Sequence, residues 1–196
     1  MKTSLFLFAV VGSLLLCVPT LHATDGAPAP TLARATQPTL SVGQTAPLID
    51  VIDASGTPRH LADLRGRKAV LLTFFPKCFT GNCTNQVISL RDSYADLQKL
   101  GVEVWAVSTD AAEGPHGQRA FIQRYKLPFA LLPDGARTIC LAYGAVKSKE
   151  QMAARMSVLI NKDGKIAWID KQMNPRTHGA DVVARLKQEN AETDKK

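Results

Sequence analysis

The apolar residues of the chain form short runs and stripes that predict strands and helices in alternation. The run from Ala69 to Phe75 is almost unbroken and too short for a helix, so it predicts a central strand that is covered on both faces and ends before Pro76. From Cys83 onwards the apolar residues recur three and four positions apart, which predicts an amphipathic helix that ends at Gly101.

Further strands and helices are predicted on both sides of this central unit. Strands are expected at Leu48–Ile52, Val102–Val107, Phe129–Leu132, Met156–Ile160 and Lys165–Ile169, and helices at Leu61–Leu64, Phe121–Tyr125, Thr138–Tyr143 and Val182–Leu186. The first of these strands and the Gly56-Thr57 turn are typical of an N-terminal hairpin, and Lys162-Asp163-Gly164 is typical of a second one. Together these elements predict an α/β fold in which helices flank a mixed central sheet, extended by an N-terminal hairpin.

The two ends of the chain lack the pattern of a folded domain. Residues 1–23 combine Lys2, an apolar run and Pro19, which predicts a secretory signal peptide, and the run is shorter than the ~20 residues that span a bilayer. Residues 24–45 are rich in Ala, Pro, Thr and Gly and predict a flexible leader. The folded domain is therefore expected over residues 46–187, followed by a frayed tail at 188–196.

Composition and charge narrow the function classes. The chain has 196 residues, of which 45% are hydrophobic and 21% charged, and this excludes a disordered protein. Its net charge is +7, but the densest basic cluster (Arg59, Arg65, Arg67 and Lys68) has no aromatic residue on which a base could stack, so nucleic-acid binding is not expected. The chain has four cysteines, of which three follow the predicted signal peptide. So few cysteines favour an exported, periplasmic protein without stable membrane insertion over a disulfide-rich extracellular module.

The residues between the central strand and the first helix carry the candidate chemistry. Cys83 is expected in the first turn of that helix, where unpaired backbone N–H groups and the positive end of the helix dipole stabilise a thiolate. Thr80 can aim its hydroxyl at the same point, and Pro76 can cover the site without adding a competing donor. A lone cysteine is often only a small buried hydrophobe, and the spacing of these three residues favours a reactive sulfur instead.

This spacing resembles the site of the peroxiredoxin family, which reads Pro, three residues, Thr or Ser, two residues, Cys. The resemblance extends over about residues 42–187 and favours the bacterioferritin-comigratory-protein branch. The stretches that carry it are Cys83-Thr84-Asn85-Gln86, Leu90-Arg91-Asp92, Val102–Ser108, Leu127-Pro128-Phe129, Leu132-Pro133-Asp134, Ala142-Tyr143-Gly144 and Asn161–Ile166. The arginine that the family places at the start of a late strand matches Arg155.

The resemblance implies a thioredoxin-like fold and a thiol-dependent peroxidase that reduces hydrogen peroxide or organic hydroperoxides. In such an enzyme the thiolate of Cys83 attacks one peroxide oxygen and becomes a sulfenic acid, while Arg155, Thr80 and the Cys83 N–H stabilise the leaving oxygen. The expected partners are a peroxide and a thiol reductant, either a thioredoxin-like protein or a small thiol, and no cofactor or metal is expected. Gln86 stands where the branch commonly has Glu and is expected to be a helix-start or hydrogen-bonding residue.

The residue that resolves the sulfenic acid is left open. The branch often has a second cysteine five residues after the first, and that position is Ile88 here. The remaining candidates are Cys78 and Cys140. A bridge from Cys78 to Cys83 needs the first helical turn to unwind, because a disulfide needs Cα atoms about 4.4–6.8 Å apart. Cys140 also fits a packed core cysteine, and a one-cysteine mechanism with an external thiol remains an alternative.

Two other classes share parts of this pattern. Thioredoxin-type oxidoreductases use two cysteines separated by two residues, whereas Cys78 and Cys83 are separated by four. Thioredoxin-like copper-delivery proteins hold Cu(I) through two cysteines separated by three residues and a distant histidine, for which His178 is the candidate. The cysteine spacing and the positive charge of Arg155 both argue against a copper site.

Overall fold

The computed structural model of the protein describes residues 40–193, which form a hairpin, a five-stranded sheet and the helices around it. The strands are β1 (Asp50–Ile52), β2 (Pro58–His60), β3 (Ala69–Phe74), β4 (Val102–Ser108), β5 (Ala130–Pro133), β6 (Met156–Ile160) and β7 (Ile166–Asp170). The helices are α1 (Gly81–Asp92), α2 (Tyr94–Lys99), α3 (Gln118–Tyr125), α4 (Thr138–Ala142) and α5 (His178–Thr193), with a 3₁₀ turn at Leu61–Leu64. The predicted α/β fold with a mixed sheet and an N-terminal hairpin is confirmed.

Strand β3 lies at the centre of the sheet, whose strand order is β5-β4-β3-β6-β7. It runs parallel to β4 and antiparallel to β6, and in the second pairing Phe74 lies opposite Met156. The residue before β6 is Arg155, so this register brings it beside the end of β3, from which the chain leads into α1. The end of β3 and the start of β6, about 80 positions apart in sequence, thereby meet at one end of the central strands.

The sheet separates two layers of buried side chains, because successive residues of a strand point to opposite faces. Val70, Leu72 and Phe74 of β3 face one layer, which also contains Cys140 of α4. Leu71 belongs to the other layer, which contains Cys78, Cys83 and the buried faces of α1 and α5. The three cysteines within residues 40–193 thus lie on both sides of the sheet.

One helix predicted from Cys83 to Gly101 is in fact two helices. The backbone of Ser93, at φ −96° and ψ 0°, lies between α1 and α2. The break lies close to the contact with α5, where the Gly179 N–H donates a 2.9 Å hydrogen bond to Ser89 Oγ and a Cβ on Gly179 would lie 2.2 Å from the Ser89 carbonyl oxygen. Buried apolar residues continue on both sides of the break, so their spacing does not reveal it.

The ordered domain extends beyond the predicted bounds of 46 and 187 at both ends. Gly43 donates a 2.8 Å hydrogen bond to the Ile166 carbonyl and Thr45 forms a bridge with Lys165, so the last part of the predicted leader belongs to the domain. Helix α5 continues to Thr193, supported along its exposed face by hydrogen bonds between side chains four residues apart. The predicted signal peptide at 1–23 lies outside the described residues.

Between residues 40 and 193 no helix has the length and apolar character needed to cross a membrane.

Candidate active site

Cys83 lies in the first turn of α1 and is only 2% exposed. The helix begins after Thr80, whose backbone is extended at φ −94° and ψ 147°, and Thr84 donates the first helical hydrogen bond to the Thr80 carbonyl at 2.8 Å. The N–H of Cys83 precedes that bond and so has no acceptor within the helix. This position directs backbone donors and the positive end of the helix dipole toward the sulfur, which favours negative charge there.

Arg155 supplies a second source of positive charge at the sulfur. Its Nη2 lies 3.3 Å from Cys83 Sγ, and its Nη1 donates to the Asn82 carbonyl at 3.4 Å and to Oε1 of Gln86. The side chain is half-buried and reaches α1 because the register of β3 and β6 places it there. A guanidinium carries its charge throughout the physiological pH range, so the contact favours a thiolate over a thiol.

Thr80 and Pro76 occupy the loop between β3 and α1. The Thr80 hydroxyl donates a 3.0 Å hydrogen bond to the Lys77 carbonyl and does not cap the helix, so its proton is directed to the loop and not to the sulfur. This differs from the predicted orientation of the hydroxyl toward the sulfur. Pro76 is half-buried, lies two residues after the end of β3, and has no N–H to compete for an acceptor.

Behind Arg155 lies a chain of hydrogen bonds that we call the polar relay, formed by Arg155, Gln86, Thr73, Ser157 and His178. The Gln86 amide accepts from the guanidinium and donates to Thr73 Oγ1 at 2.7 Å. Ser157 Oγ donates to the same oxygen at 2.7 Å and lies 2.9 Å from His178 Nε2. The relay links the reactive end of α1 to the start of α5.

Gln86 is predicted from the sequence to be a helix-start or hydrogen-bonding residue, and it forms hydrogen bonds in the relay. The other members of the relay behind Arg155 are not predicted from the sequence. Thr73 and Ser157 are polar residues within apolar strands and lie directly opposite each other in the pairing of β3 with β6. Both are fully buried, and a buried hydroxyl needs a hydrogen-bond partner. The available signal was therefore a pair of polar positions in two otherwise apolar strands.

His178 is buried as a neutral imidazole. Burial lowers its pKa to about 4, although the carboxylates of Asp170 and Asp181 oppose the shift. His178 is the candidate histidine of a copper site, but in the structure its ring lies against Ser157 Oγ. Over residues 40–193, no group of three or more His, Cys, Asp or Glu side chains is arranged to hold a metal ion.

The other two cysteines of residues 40–193 lie in different layers of the core. Cys78 shares the layer of Cys83, is 3% exposed, and donates its backbone N–H to Asp110 Oδ2 at 2.8 Å. Burial and then the Asp110 carboxylate raise the pKa of the Cys78 thiol above its usual range. Cys140 lies across the sheet, and burial and Asp134 likewise raise the pKa of its thiol. All three are free thiols.

An aromatic residue fixes the loop that joins Cys78 to Thr80. The backbone of Phe79 has φ +60°, a left-handed conformation that residues other than Gly rarely adopt. Its ring contacts Phe121 edge-on at 4.9 Å and also packs against Tyr125 and His116. The packing of Phe121 and Tyr125 of α3 against this ring compensates for the backbone strain at Phe79.

Comparisons of the sequence and of the structure with known proteins match the same family. The model of the AhpC/TSA family matches residues 42–169. A putative peroxiredoxin bcp of Coxiella burnetii is 35% identical over 153 residues, which cover 75% of this chain and 99% of the relative. Peroxiredoxin Bcp of Escherichia coli is 34% identical over 155 residues, which cover 76% and 97%. The crystal structure of peroxidoxin BcpB from Mycobacterium tuberculosis matches with a TM-score of 0.68 at 23% identity, covering 76% of this chain and 97% of that one.

A thioredoxin-like fold that holds a cysteine at a helix N-terminus beside an arginine is typical of thiol-dependent peroxidases. The chain belongs to the AhpC/TSA family, as a peroxiredoxin of the Bcp type. The fold and the function expected from the resemblance are thereby confirmed, with a peroxide as substrate and a thiol as reductant.

The burial of His178 predicts a loss of stability in mild acid. The unfolded chain binds a proton at the ordinary histidine pKa of 6.5 and the folded chain only at about 4, so the unfolded state holds more protons between these values. The free energy of unfolding should therefore fall by about 2 kcal/mol from pH 7 to pH 5 because of this residue. Urea unfolding at several pH values measures the slope.

His178→Asn should flatten this pH dependence, since the titrating group is gone. His116→Asn removes an exposed histidine and is the matched control, which should keep the wild-type slope. Equal slopes in wild type and His178→Asn would show that another group causes the acid sensitivity.

Proposed function

We propose that Cys83 is the peroxidatic cysteine of this peroxiredoxin and that Arg155 holds both its thiolate and the bound peroxide. The observation that carries this proposal is the 3.3 Å contact between Arg155 Nη2 and Cys83 Sγ at the N-terminus of α1. The helix and the guanidinium act on the same atom, and both lower the energy of negative charge on it.

In the first step the Cys83 thiolate attacks one oxygen of the peroxide. A sulfur–oxygen bond forms, the O–O bond breaks, and Cys83 becomes a sulfenic acid. The second oxygen leaves with negative charge and takes a proton, giving water from hydrogen peroxide or an alcohol from an organic hydroperoxide. The Arg155 guanidinium and the unpaired Cys83 N–H are preorganised donors for that charge, and the Thr80 hydroxyl becomes a third donor when it releases the Lys77 carbonyl.

The polar relay supports this role of Arg155. Gln86 is neutral, so it orients the guanidinium through one amide oxygen and leaves the positive charge intact. A Glu at this position would neutralise that charge. Its amide nitrogen is fixed by Thr73 and by the Phe74 carbonyl. The other four residues of the relay are buried, so the position of Arg155 is set before the substrate binds.

Cys78 is our candidate for the resolving cysteine. It lies in the same core layer as Cys83 and five positions before it, whereas Cys140 lies on the far side of the sheet. In this scheme the thiol of Cys78 attacks the sulfenic acid, water leaves, and an external thiol reduces the resulting disulfide. A thioredoxin-like protein or a small thiol would serve as that reductant.

We also propose that the enzyme works outside the cytoplasm, in the periplasm. The support is the sequence of residues 1–23, whose charged start, apolar run and small residues are typical of a secretory signal. Expression of the full chain in a Gram-negative host should give a periplasmic product that lacks about the first 23 residues. Recovery of the uncleaved chain in the cytoplasm, unchanged when the apolar run is replaced by polar residues, would contradict export.

Substitutions at the site should separate chemistry from folding. Cys83→Ser should abolish peroxide consumption with a dithiol reductant, because the nucleophile is lost. Arg155→Gln should lower kcat/KM by about 10²–10³, the usual cost of removing one preorganised donor. Arg67→Gln is the matched control. It removes an exposed arginine just before the start of β3, at the end of the strand away from Cys83, and it should leave kcat/KM unchanged. Full activity of Arg155→Gln would contradict the proposed role.

The resolving cysteine can be identified by mass spectrometry after treatment with one equivalent of peroxide. The wild-type chain should lose two hydrogens through a bridge between Cys78 and Cys83. Cys78→Ser should instead accumulate a sulfenic acid that dimedone traps, and Cys140→Ser should behave as wild type. A bridge that persists in Cys78→Ser and disappears in Cys140→Ser would reverse the assignment.

A further inference from the structure

The loop after β4 holds Cys78 through a carboxylate that the peroxidase step does not use. Asp110 Oδ2 accepts the backbone N–H of Cys78 at 2.8 Å and the hydroxyl of Ser108 at 2.9 Å. In return the Asp110 N–H donates to Ser108 Oγ at 3.3 Å. The carboxylate is therefore bound from two directions and lies beside a cysteine thiol.

A second set of buried contacts fixes this carboxylate. Ser108 ends β4 and is fully buried, and Gln118 of α3, which is fully buried too, donates to its hydroxyl at 2.9 Å. The same amide also donates to the carbonyls of Ser108 and Leu132. Contacts with β4, β5 and α3 together therefore fix the position of Asp110. A carboxylate on an exposed loop lacks such contacts.

The resolving reaction requires a base at this place. Cys78 is buried, and because Asp110 Oδ2 accepts its backbone N–H at 2.8 Å, the carboxylate lies beside this cysteine. Burial and the carboxylate both raise the pKa of the Cys78 thiol. Very little thiolate exists at neutral pH in such a site, yet the thiolate is the nucleophile in disulfide formation. The proton must therefore leave as the sulfur attacks, and the neighbouring Asp110 carboxylate is the available acceptor.

We propose that Asp110 is the general base of the resolving step, in which it takes the proton of Cys78 while the Cys78 sulfur attacks the sulfenic sulfur of Cys83. The S–S bond forms, the S–O bond of the sulfenic acid breaks, and the leaving hydroxide takes the proton from Asp110. Both sulfurs end as a disulfide, one water is released and the carboxylate is regenerated. This proposal rests on the resolving role proposed for Cys78.

The contacts also indicate which cysteine moves. Cys78 is anchored by Asp110, and the next residue, Phe79, is packed against α3. Cys83 directly follows Gly81 and Asn82 in the chain, and these are two exposed residues of the first helical turn. Unwinding that turn would carry the sulfenic acid away from Arg155 and toward Cys78, whose proton acceptor stays in place.

The experiment measures two rates in single turnovers of the full chain. Oxidation of Cys83 is followed by peroxide consumption, and disulfide formation by the loss of free thiols after quenching. Asp110→Asn keeps an oxygen that accepts the Cys78 N–H and removes the base. We expect it to leave oxidation unchanged and to slow disulfide formation by about 10²–10⁴ at neutral pH, the usual contribution of general base catalysis.

The pH profile separates a base from a merely structural residue. Above neutral pH the wild-type resolving rate should be flat, whereas in Asp110→Asn it should rise about tenfold per pH unit, because only the thiolate of Cys78 then reacts. Nearby titratable groups are Cys83, Glu113, which pairs with Arg119, and His116, which contacts Phe79. Cys83 is already a sulfenic acid when the resolving step begins, so it contributes no thiol to this profile.

Two further variants complete the design. Asp134→Asn is the matched control, since Asp134 accepts the N–H of Cys140 in the other core layer, and both rates should stay as in wild type. Asp110→Glu keeps a carboxylate and should resolve more slowly than wild type, with a rate independent of pH. A thiolate-like rise with pH in Asp110→Glu would contradict the proposal even if Asp110→Asn folds poorly.

The outcomes distinguish the two proposals. A disulfide that forms in Asp110→Asn at the wild-type rate, or slowly with no rise at higher pH, would overturn the role of Asp110 and leave Cys78 as the resolving cysteine. Failure of the wild-type chain to form the bridge between Cys78 and Cys83 would overturn the role of Cys78 itself. A slow, pH-rescued bridge in Asp110→Asn alone is the result that we expect.

Discussion

The contact between the Arg155 guanidinium and the Cys83 sulfur is the interaction on which the function of this fold depends. It exists because β6 runs antiparallel to β3 in a register that puts the residue before β6 beside the start of α1. The helix alone would offer the sulfur only partial charges, whereas the guanidinium adds a full one. The polar relay then holds that charge through neutral groups, so it stays available to the sulfur and to the leaving oxygen.

The two cysteines on this side of the sheet have opposite environments, and this difference divides the reaction between them. Cys83 lies among donors, which favours its anionic form, and it can react first. Cys78 lies against a carboxylate and is buried, which keeps its proton on the sulfur until an electrophile arrives. A free thiol held in this protonated state does not compete for peroxide. The same core layer thus contains one cysteine whose surroundings suit the attack on peroxide and one whose surroundings suit the attack on the product of that step.

Local patterns predicted much of this arrangement, and contacts between distant segments account for the rest. The apolar run that ends before Pro76 and the helix that starts near Cys83 are local features, and both were predicted. The pairing of Thr73 with Ser157 depends on the register of two strands distant in sequence, which a single sequence does not show. The side of the sheet on which Cys140 lies is likewise set by the packing of α4, so Cys78 and Cys140 could not be ranked before the structure was known.

The most direct test of the account is the ultraviolet absorbance of thiolate as a function of pH, compared between wild type, Cys83→Ser and Arg155→Gln. The account predicts a thiolate signal at neutral pH that Cys83→Ser removes and Arg155→Gln reduces, together with rapid alkylation of Cys83 by iodoacetamide. A Cys83 that stays protonated well above neutral pH and resists both alkylation and peroxide would contradict it.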